Sequence, residues 1–195
     1  MRPAPLLLVL LALALPAQGW SQPAPPANRP AAAAPLPSAA PTLRVWRSVA
    51  SAEGGYRVEL PGNPAERRVE QKDAGGRLIV SHLQEVSLDG GQTYFAMVWT
   101  QIGVPVDAAE TEKLLTRVRD GTTAALKGTL ITTRAAALGS LQGLDYVIEA
   151  GPAATRYRYR VFVLGHRIVQ QVYSGRTGSE NSPEVRKFHQ SLKPG

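Results

Sequence analysis

From Tyr56 onward the chain is written mostly in period two. Tyr56-Arg57-Val58-Glu59-Leu60 alternates apolar and polar residues, the pattern of a half-buried strand, and Pro61-Gly62-Asn63-Pro64 ends it. Arg67 to Lys72 and Arg77 to Leu88 flank Asp73-Ala74-Gly75-Gly76, a hairpin signal. Asp89-Gly90-Gly91 then turns the chain into a strand over Gln92 to Ile102. That strand holds Tyr94-Phe95-Ala96-Met97-Val98-Trp99, apolar on both parities, which predicts a central strand with a layer packed on each face.

The period then becomes helical. Asp107 can cap a helix, with Glu110 three residues on as its reciprocal partner. Leu114, Leu115, Val118, Thr122, Ala125 and Leu126 share one face, and Gly128 suits the end. Strands resume at Thr129 to Ala137, Gly143 to Ala150, Thr155 to Leu164 and Arg167 to Ser174. A last helix is predicted from Ser182 as cap, with Pro183 in its first turn. It buries Val185, Phe188 and Leu192 and stops near Pro194. The order of elements predicts an α+β fold: a mainly antiparallel sheet with one mid-chain and one C-terminal helix packed on it.

Residues 1–42 follow a different logic. Met1-Arg2-Pro3-Ala4-Pro5 precedes an unbroken apolar run, Leu6 to Leu15, and then Pro16-Ala17-Gln18-Gly19. A basic head, an apolar core and a small-residue exit predict a signal peptide over 1–19, cleaved after Gly19. A spanning helix needs roughly 20 apolar residues, and this run has about half of that. The chain has no cysteine, so it carries no bacterial lipobox, disulfide, thiolate zinc site or cysteine nucleophile. Residues 20–42 are mostly Ala and Pro and read as a semi-extended linker. The folded domain is expected over 43–195, in a soluble protein exported to a bacterial-type periplasm.

The formal net charge is +7. Such basicity suits an anionic partner: acidic lipid head groups, a glycan, or an acidic face of an envelope protein. Export and the lack of any nucleic-acid-binding motif argue against nucleic acid, and the chain is not expected to span a membrane itself.

Two stretches carry a family resemblance. Gly55-Tyr56-Arg57-Val58-Glu59-Leu60-Pro61-Gly62-Asn63-Pro64 opens the domain, and Val185-Arg186-Lys187-Phe188-His189-Gln190-Ser191-Leu192 closes it, with the single mid-chain helix between them. In this the chain resembles the PsbP-like superfamily, which includes the DcrB-like envelope proteins. The resemblance implies an α/β/α sandwich around an antiparallel sheet. It also implies a binding or accessory role in membrane-associated complexes. Photosystem members have metal-linked roles, but none of their functional residues is matched here, so no metal or cofactor is carried over.

Catalytic constellations are not evident. His82, His166 and His189 are distant in sequence and lack HExxH-type spacing. Gly139-Ser140 and Gly178-Ser179 lack the nucleophile-elbow pattern. Asp145 and Glu149 fall on one face of a strand, where paired carboxylates can serve acid–base chemistry, but their cross-strand neighbours point elsewhere.

Those neighbours define the candidate site. With Gly151 to Ala154 as a hairpin loop, Glu149 faces Arg156, Val147 faces Arg158 and Asp145 faces Arg160. Leu144, Tyr146 and Ile148 then oppose Val161, Tyr159 and Tyr157 on the other face. A turn at Gly165-His166 places Arg158 opposite Tyr173 and Arg160 opposite Gln171, leaving Arg158 with no carboxylate across from it. Arg156, Arg158, Arg160, Gln171 and Tyr173 are therefore a candidate anion- or glycan-recognition patch, since arginine offers bidentate donors to carboxylate or phosphate. The alternative is a charged sheet face, solvated or covered by the terminal helix, whose ion pairs serve register.

Three functions remain open. The first is a binding or accessory module of an envelope complex. The second is an envelope hydrolase acting on an anionic or glycan substrate, which requires a histidine to meet a carboxylate in a concave site. The third is a small-ligand carrier lined by Tyr94, Phe95 and Trp99, residues that equally suit a core.

Overall fold

The computed structural model describes residues 44–72, 76–102 and 107–195. The signal-peptide reading of 1–19 and the linker reading of 20–42 lie outside the described residues. So do the tip of the Asp73–Gly76 hairpin and the segment 103–106.

The described chain forms β1 (Trp46–Ser51), β2 (Tyr56–Pro61), β3 (Ala65–Lys72), β4 (Leu78–Leu88) and β5 (Thr93–Gln101), then α1 (Ala108–Ala125). It continues through β6 (Thr129–Leu138), β7 (Leu141–Ala150), β8 (Thr155–Leu164) and β9 (Arg167–Gly175), and closes with α2 (Pro183–Ser191) and β10 (Lys193–Pro194). The large sheet has the order β3-β4-β5-β9-β8-β7-β6, and every neighbouring pair is antiparallel. A small second sheet has the order β1-β2-β10. The mainly antiparallel α+β fold expected from the pattern, and the sandwich implied by the resemblance, are the observed architecture.

The period-two strands bury their two parities in two separate cores. On one face Ala96, Val98, Tyr146, Ile148, Tyr159 and Val161 pack with Leu114, Leu115 and Val118 of α1. On the other, Phe95, Met97, Phe162 and Val169 pack with Val58 and Leu60 of β2 and with Val185 and Phe188 of α2. β5 supplies both cores, as its apolar run predicts.

Helix ends follow capping chemistry. The Asp107 carboxylate accepts from the Glu110 N–H at 2.8 Å, and the Ser182 hydroxyl accepts from the Val185 N–H at 3.3 Å. After α1 the left-handed residue is Lys127, with φ +49°, and not Gly128. Gly128 answers a different need: a Cβ there would sit 2.5 Å from Ile148 Cγ2. The close approach of backbone to β7 excludes a side chain.

Two strands lie outside the sequence expectation. β1 reads Trp46-Arg47-Ser48-Val49-Ala50-Ser51, whose apolar residues do not alternate, yet it pairs along β2 from Trp46–Pro61 to Ser51–Tyr56. β10 has only two residues and pairs with Arg57 and Tyr56. Both are tied to β2, which is fully buried at Val58 and Leu60, so the partner strand and not their own pattern defines them.

Candidate functional site

The register predicted for β7, β8 and β9 is the register observed. Asp145 pairs with Arg160, Val147 with Arg158 and Glu149 with Arg156. Across the other side, Arg158 pairs with Tyr173 and Arg160 with Gln171. All five candidate residues lie on the α2 face of the sheet.

Between β7 and β8 the ion pair at Asp145 does not follow the register, whereas that of Glu149 with Arg156 does. Arg158, expected to be without a carboxylate, grips Asp145 in a two-pronged contact, Nε to Oδ1 at 3.0 Å and Nη2 to Oδ2 at 2.8 Å. Arg160, directly opposite Asp145, comes only to 3.9 Å through Nε. Its Nη1 donates instead to the His189 carbonyl, and its Nη2 reaches the Ala137 carbonyl at 3.4 Å. The correction has a geometric cause: long side chains on a pleated sheet reach diagonal neighbours as easily as opposed ones, and a guanidinium fork selects the carboxylate it can meet edge-on.

Arg158 has a further task. Its Nη1 donates to the Glu180 carbonyl at 2.9 Å and to Asn181 Oδ1 at 3.2 Å, in the single turn that precedes α2. Gln171 Nε2 donates to the Phe188 carbonyl at 2.7 Å, and Tyr173 shares a 2.7 Å hydrogen bond with Ser179. Arg158, Gln171 and Tyr173 are thus buried under α2 and fasten it to the sheet. Arg156 pairs with Glu149 at 3.0 Å nearer the rim.

Around this anchor lies an open cleft of about 460 Å³ between α2 and β6. Four arginines line it, Arg134, Arg158, Arg160 and Arg186, against one carboxylate, Asp145. Arg134 reaches Asp145 at 3.0 Å while 65 % of its side chain stays exposed. Burial alone would raise the Asp145 pKa, but the hydrogen bonds and charges of Arg158 and Arg134 outweigh it and hold the carboxyl below its usual range. Burial pushes Arg160 below the ordinary arginine value, with Asp145 opposing the shift and Arg158 and Arg134 adding to it.

His189 also lines the cleft. It is 3 % exposed, and neither ring nitrogen has a hydrogen-bond partner. Burial, reinforced by Arg158 and Arg160, lowers its pKa to about 3, so the ring is neutral. His82 stacks flat on Trp99, with ring centroids 4.2 Å apart, and His166 is exposed on a hairpin tip. Among the described residues no histidine hydrogen-bonds a carboxylate, the geometry on which the hydrolase reading depends. Tyr94, Phe95 and Trp99, the suggested lining of a carrier, are packed into the two cores.

Sequence reasoning misses Arg134 and Arg186. Arg134 lies in a strand of Thr and Ala, and Arg186 on the exposed side of α2, so neither belongs to the alternating β7–β8 pattern. The usable signal is pairwise: Arg134 sits opposite Asp145 on β6.

No family model matches this sequence, and no curated protein matches it significantly. Solved structures do. The fold is PsbP-like. The solution structure of cyanobacterial PsbP (CyanoP) from Synechocystis sp. PCC 6803 superposes with a TM-score of 0.55 at 12 % identity, covering 83 % of this chain and 100 % of that one. At this identity the likeness defines the fold. The two helices and the antiparallel sheet agree with the resemblance carried by the opening and closing motifs. Among the described residues no helix is long and apolar enough to cross a membrane.

Proposed function

We propose that this chain is an exported binding or accessory module of a bacterial-type cell envelope, and that the arginine cleft beside α2 recognises an anionic group on its partner. The observation that carries this reading is the excess of arginine in the cleft, four against one carboxylate. Two of them, Arg134 and Arg186, have exposed side chains that no buried pairing consumes entirely. Of the five residues singled out in sequence, Arg158 and Arg160 contribute to the cleft, Arg158 by holding its wall. Gln171 and Tyr173 support that wall from outside the cleft, and Arg156 pairs with Glu149 away from it. The signal-peptide pattern over 1–19 supports the location.

The test uses the mature chain beginning at Trp20. It is titrated with a short polyglutamate peptide, an oligogalacturonate and phosphatidylglycerol vesicles. At least one is expected to bind and to perturb amides around Arg134, Asp145 and Arg186. Arg134→Gln with Arg186→Gln should weaken that binding roughly tenfold or more. Undiminished binding by the double variant, or binding of none of the three, overturns the reading. Arg158→Ala is a poor probe, because it removes the anchor of α2. Protein recovered from a periplasmic fraction should begin at Trp20; a cytoplasmic product retaining the leader overturns export.

A further inference from the structure

The large sheet ends in two unlike edges. β3 is charged at five of its eight positions, Glu66, Arg67, Arg68, Glu70 and Lys72. Such charge keeps a free edge from pairing with another strand. β6, at the other end, reads Thr-Leu-Ile-Thr-Thr-Arg-Ala-Ala-Ala-Leu, and Arg134 is its only charge in ten residues. A bulge between Leu130 and Thr132 protects its beginning, and from Thr132 to Leu138 it runs in regular register. Among the described residues no other strand pairs with its outer side; the Arg160 guanidinium touches the Ala137 carbonyl there.

Grooves flank this bare edge on both faces. On the α2 side lies the arginine cleft, bordered by Arg134 and Ala136 of β6. On the α1 side lies a groove of about 700 Å³, where Thr133, Ala135 and Ala137 meet Leu115 and Leu144. The outer surface of β6 thus borders an arginine-rich cleft on one side and, on the other, a groove where Leu115, Leu144 and alanines lie beside Glu112 and Arg119, and its small alanine side chains leave both open.

The geometry points to β6 as a docking edge: an extended segment of an acidic partner protein adds to it as an eighth strand. Carboxylates on one parity enter the arginine cleft, and apolar side chains on the other enter the α1-side groove. This rests on the anionic reading of the cleft and specifies the anion as a polypeptide. A bare strand edge presents backbone donors and acceptors at strand spacing, which another backbone matches and a head group or glycan does not. A second copy of this chain is a poor occupant, because antiparallel pairing of two β6 strands brings two arginine-rich clefts together. The chain's own segment 20–42 is also a poor occupant: it contains no Asp or Glu, and its many prolines cannot donate to a ladder.

The experiment takes the mature chain and a short synthetic peptide alternating leucine with aspartate. Two controls share its composition: one with leucines and aspartates in separate blocks, one N-methylated at alternate amides. The alternating peptide is expected to slow amide exchange within Thr132–Leu138. Both controls should bind roughly tenfold more weakly or worse. Arg134→Glu combined with Arg186→Glu, which turns the net charge of the cleft negative, should transfer the preference to a leucine–lysine peptide, a gain that misfolding cannot imitate. Equal binding of alternating and block peptides without protection of β6 overturns strand addition while leaving the anion cleft standing. Self-association that protects β6 without peptide overturns it in favour of a second copy. Binding of galacturonate but of no acidic peptide overturns it as well, and failure of every anion removes both readings together.

Discussion

β7 and β8 present two faces made from alternate residues of the same two segments. Toward α1 they show Tyr146, Ile148, Tyr159 and Val161, of which Tyr146, Ile148 and Val161 are fully buried. The Tyr146 and Tyr159 rings stack with centroids 5.1 Å apart. Toward α2 they show Asp145, Arg156, Arg158 and Arg160. Both faces are covered, but by different physics. The first coheres by removing apolar area from water, which is indifferent to small displacements. The second coheres through directed donors that must each find an acceptor, and an error there strands a charge. A packed face tolerates many partners; a charged face fixes one. Arg158 joins Asp145 to the turn before α2, beside the apolar contact of Val185 and Phe188 with Phe162.

The largest way to break the comparison is to remove the centre of the charged face. Asp145→Ala leaves a guanidinium that is 5 % exposed without its counter-charge, beside Arg134 and Arg160. A loss of about 3–5 kcal/mol is expected by urea unfolding. Ile148→Ala, on the packed face of the same strand, should cost about 3 kcal/mol through a cavity. Size does not separate the two; rescue does. Adding Arg158→Met should recover the part of the loss in Asp145→Ala that comes from the stranded charge, though not the bonds to Glu180 and Asn181, and none of the loss in Ile148→Ala. Equal response of both to Arg158→Met would erase the distinction between the faces.

The same contrast explains which parts of the molecule are legible in its sequence. Strand order and cross-strand partners within β7 to β9 follow from the two hairpin loops, Gly151–Ala154 and Gly165-His166, which set the register, while the period of two sets which face buries Tyr146 and Ile148. The caps at Asp107 and Ser182 are equally legible, since their chemistry is local. The ion pairs are not. Arg158, Asp145 and Arg160 are within reach of one another in several combinations, and the choice depends on acceptors at Glu180, Asn181 and His189 that lie far off in sequence. β1 and β10 are illegible for a related reason: their burial depends on β2 and not on their own alternation.

His189 gives a sharper and smaller test, because its ring sits in the charged face yet takes no part in the bonding there. Its folded pKa of about 3 lies below the ordinary histidine value, held there by burial and by Arg158, Arg160 and Arg134 against the pull of Asp145. Between those two pH values the unfolded chain takes up a proton that the folded chain refuses. Stability should therefore fall as pH falls through that window, by at most about 1.4 kcal/mol per pH unit, and be flat in this respect above the unfolded value. Asp145, with a lowered pKa, loses its contribution only further down, below the ordinary carboxylate range. His189→Phe should flatten the upper window and leave the lower one. It should also raise stability at neutral pH by about 1–3 kcal/mol, since two unpartnered buried nitrogens disappear. Unfolding curves that keep their slope between about pH 6 and pH 4 in the variant would assign that slope elsewhere.

The smallest effect belongs to the outermost pair of the same ladder. Glu149 and Arg156 are directly opposed and meet at 3.0 Å, with side chains 33 % and 15 % exposed. Water reaches the Glu149 carboxylate as it cannot reach that of Asp145. Glu149→Gln should therefore change stability by only about 0.2–1 kcal/mol, and the difference should shrink further in salt near molar concentration. The register does not distinguish this pair from Asp145–Arg160, since both are opposed positions on one face. Depth under α2 does. A loss from Glu149→Gln as large as that from Asp145→Ala would mean that the ladder is uniform along its length, and that the buried fork at Arg158 holds no special place in it.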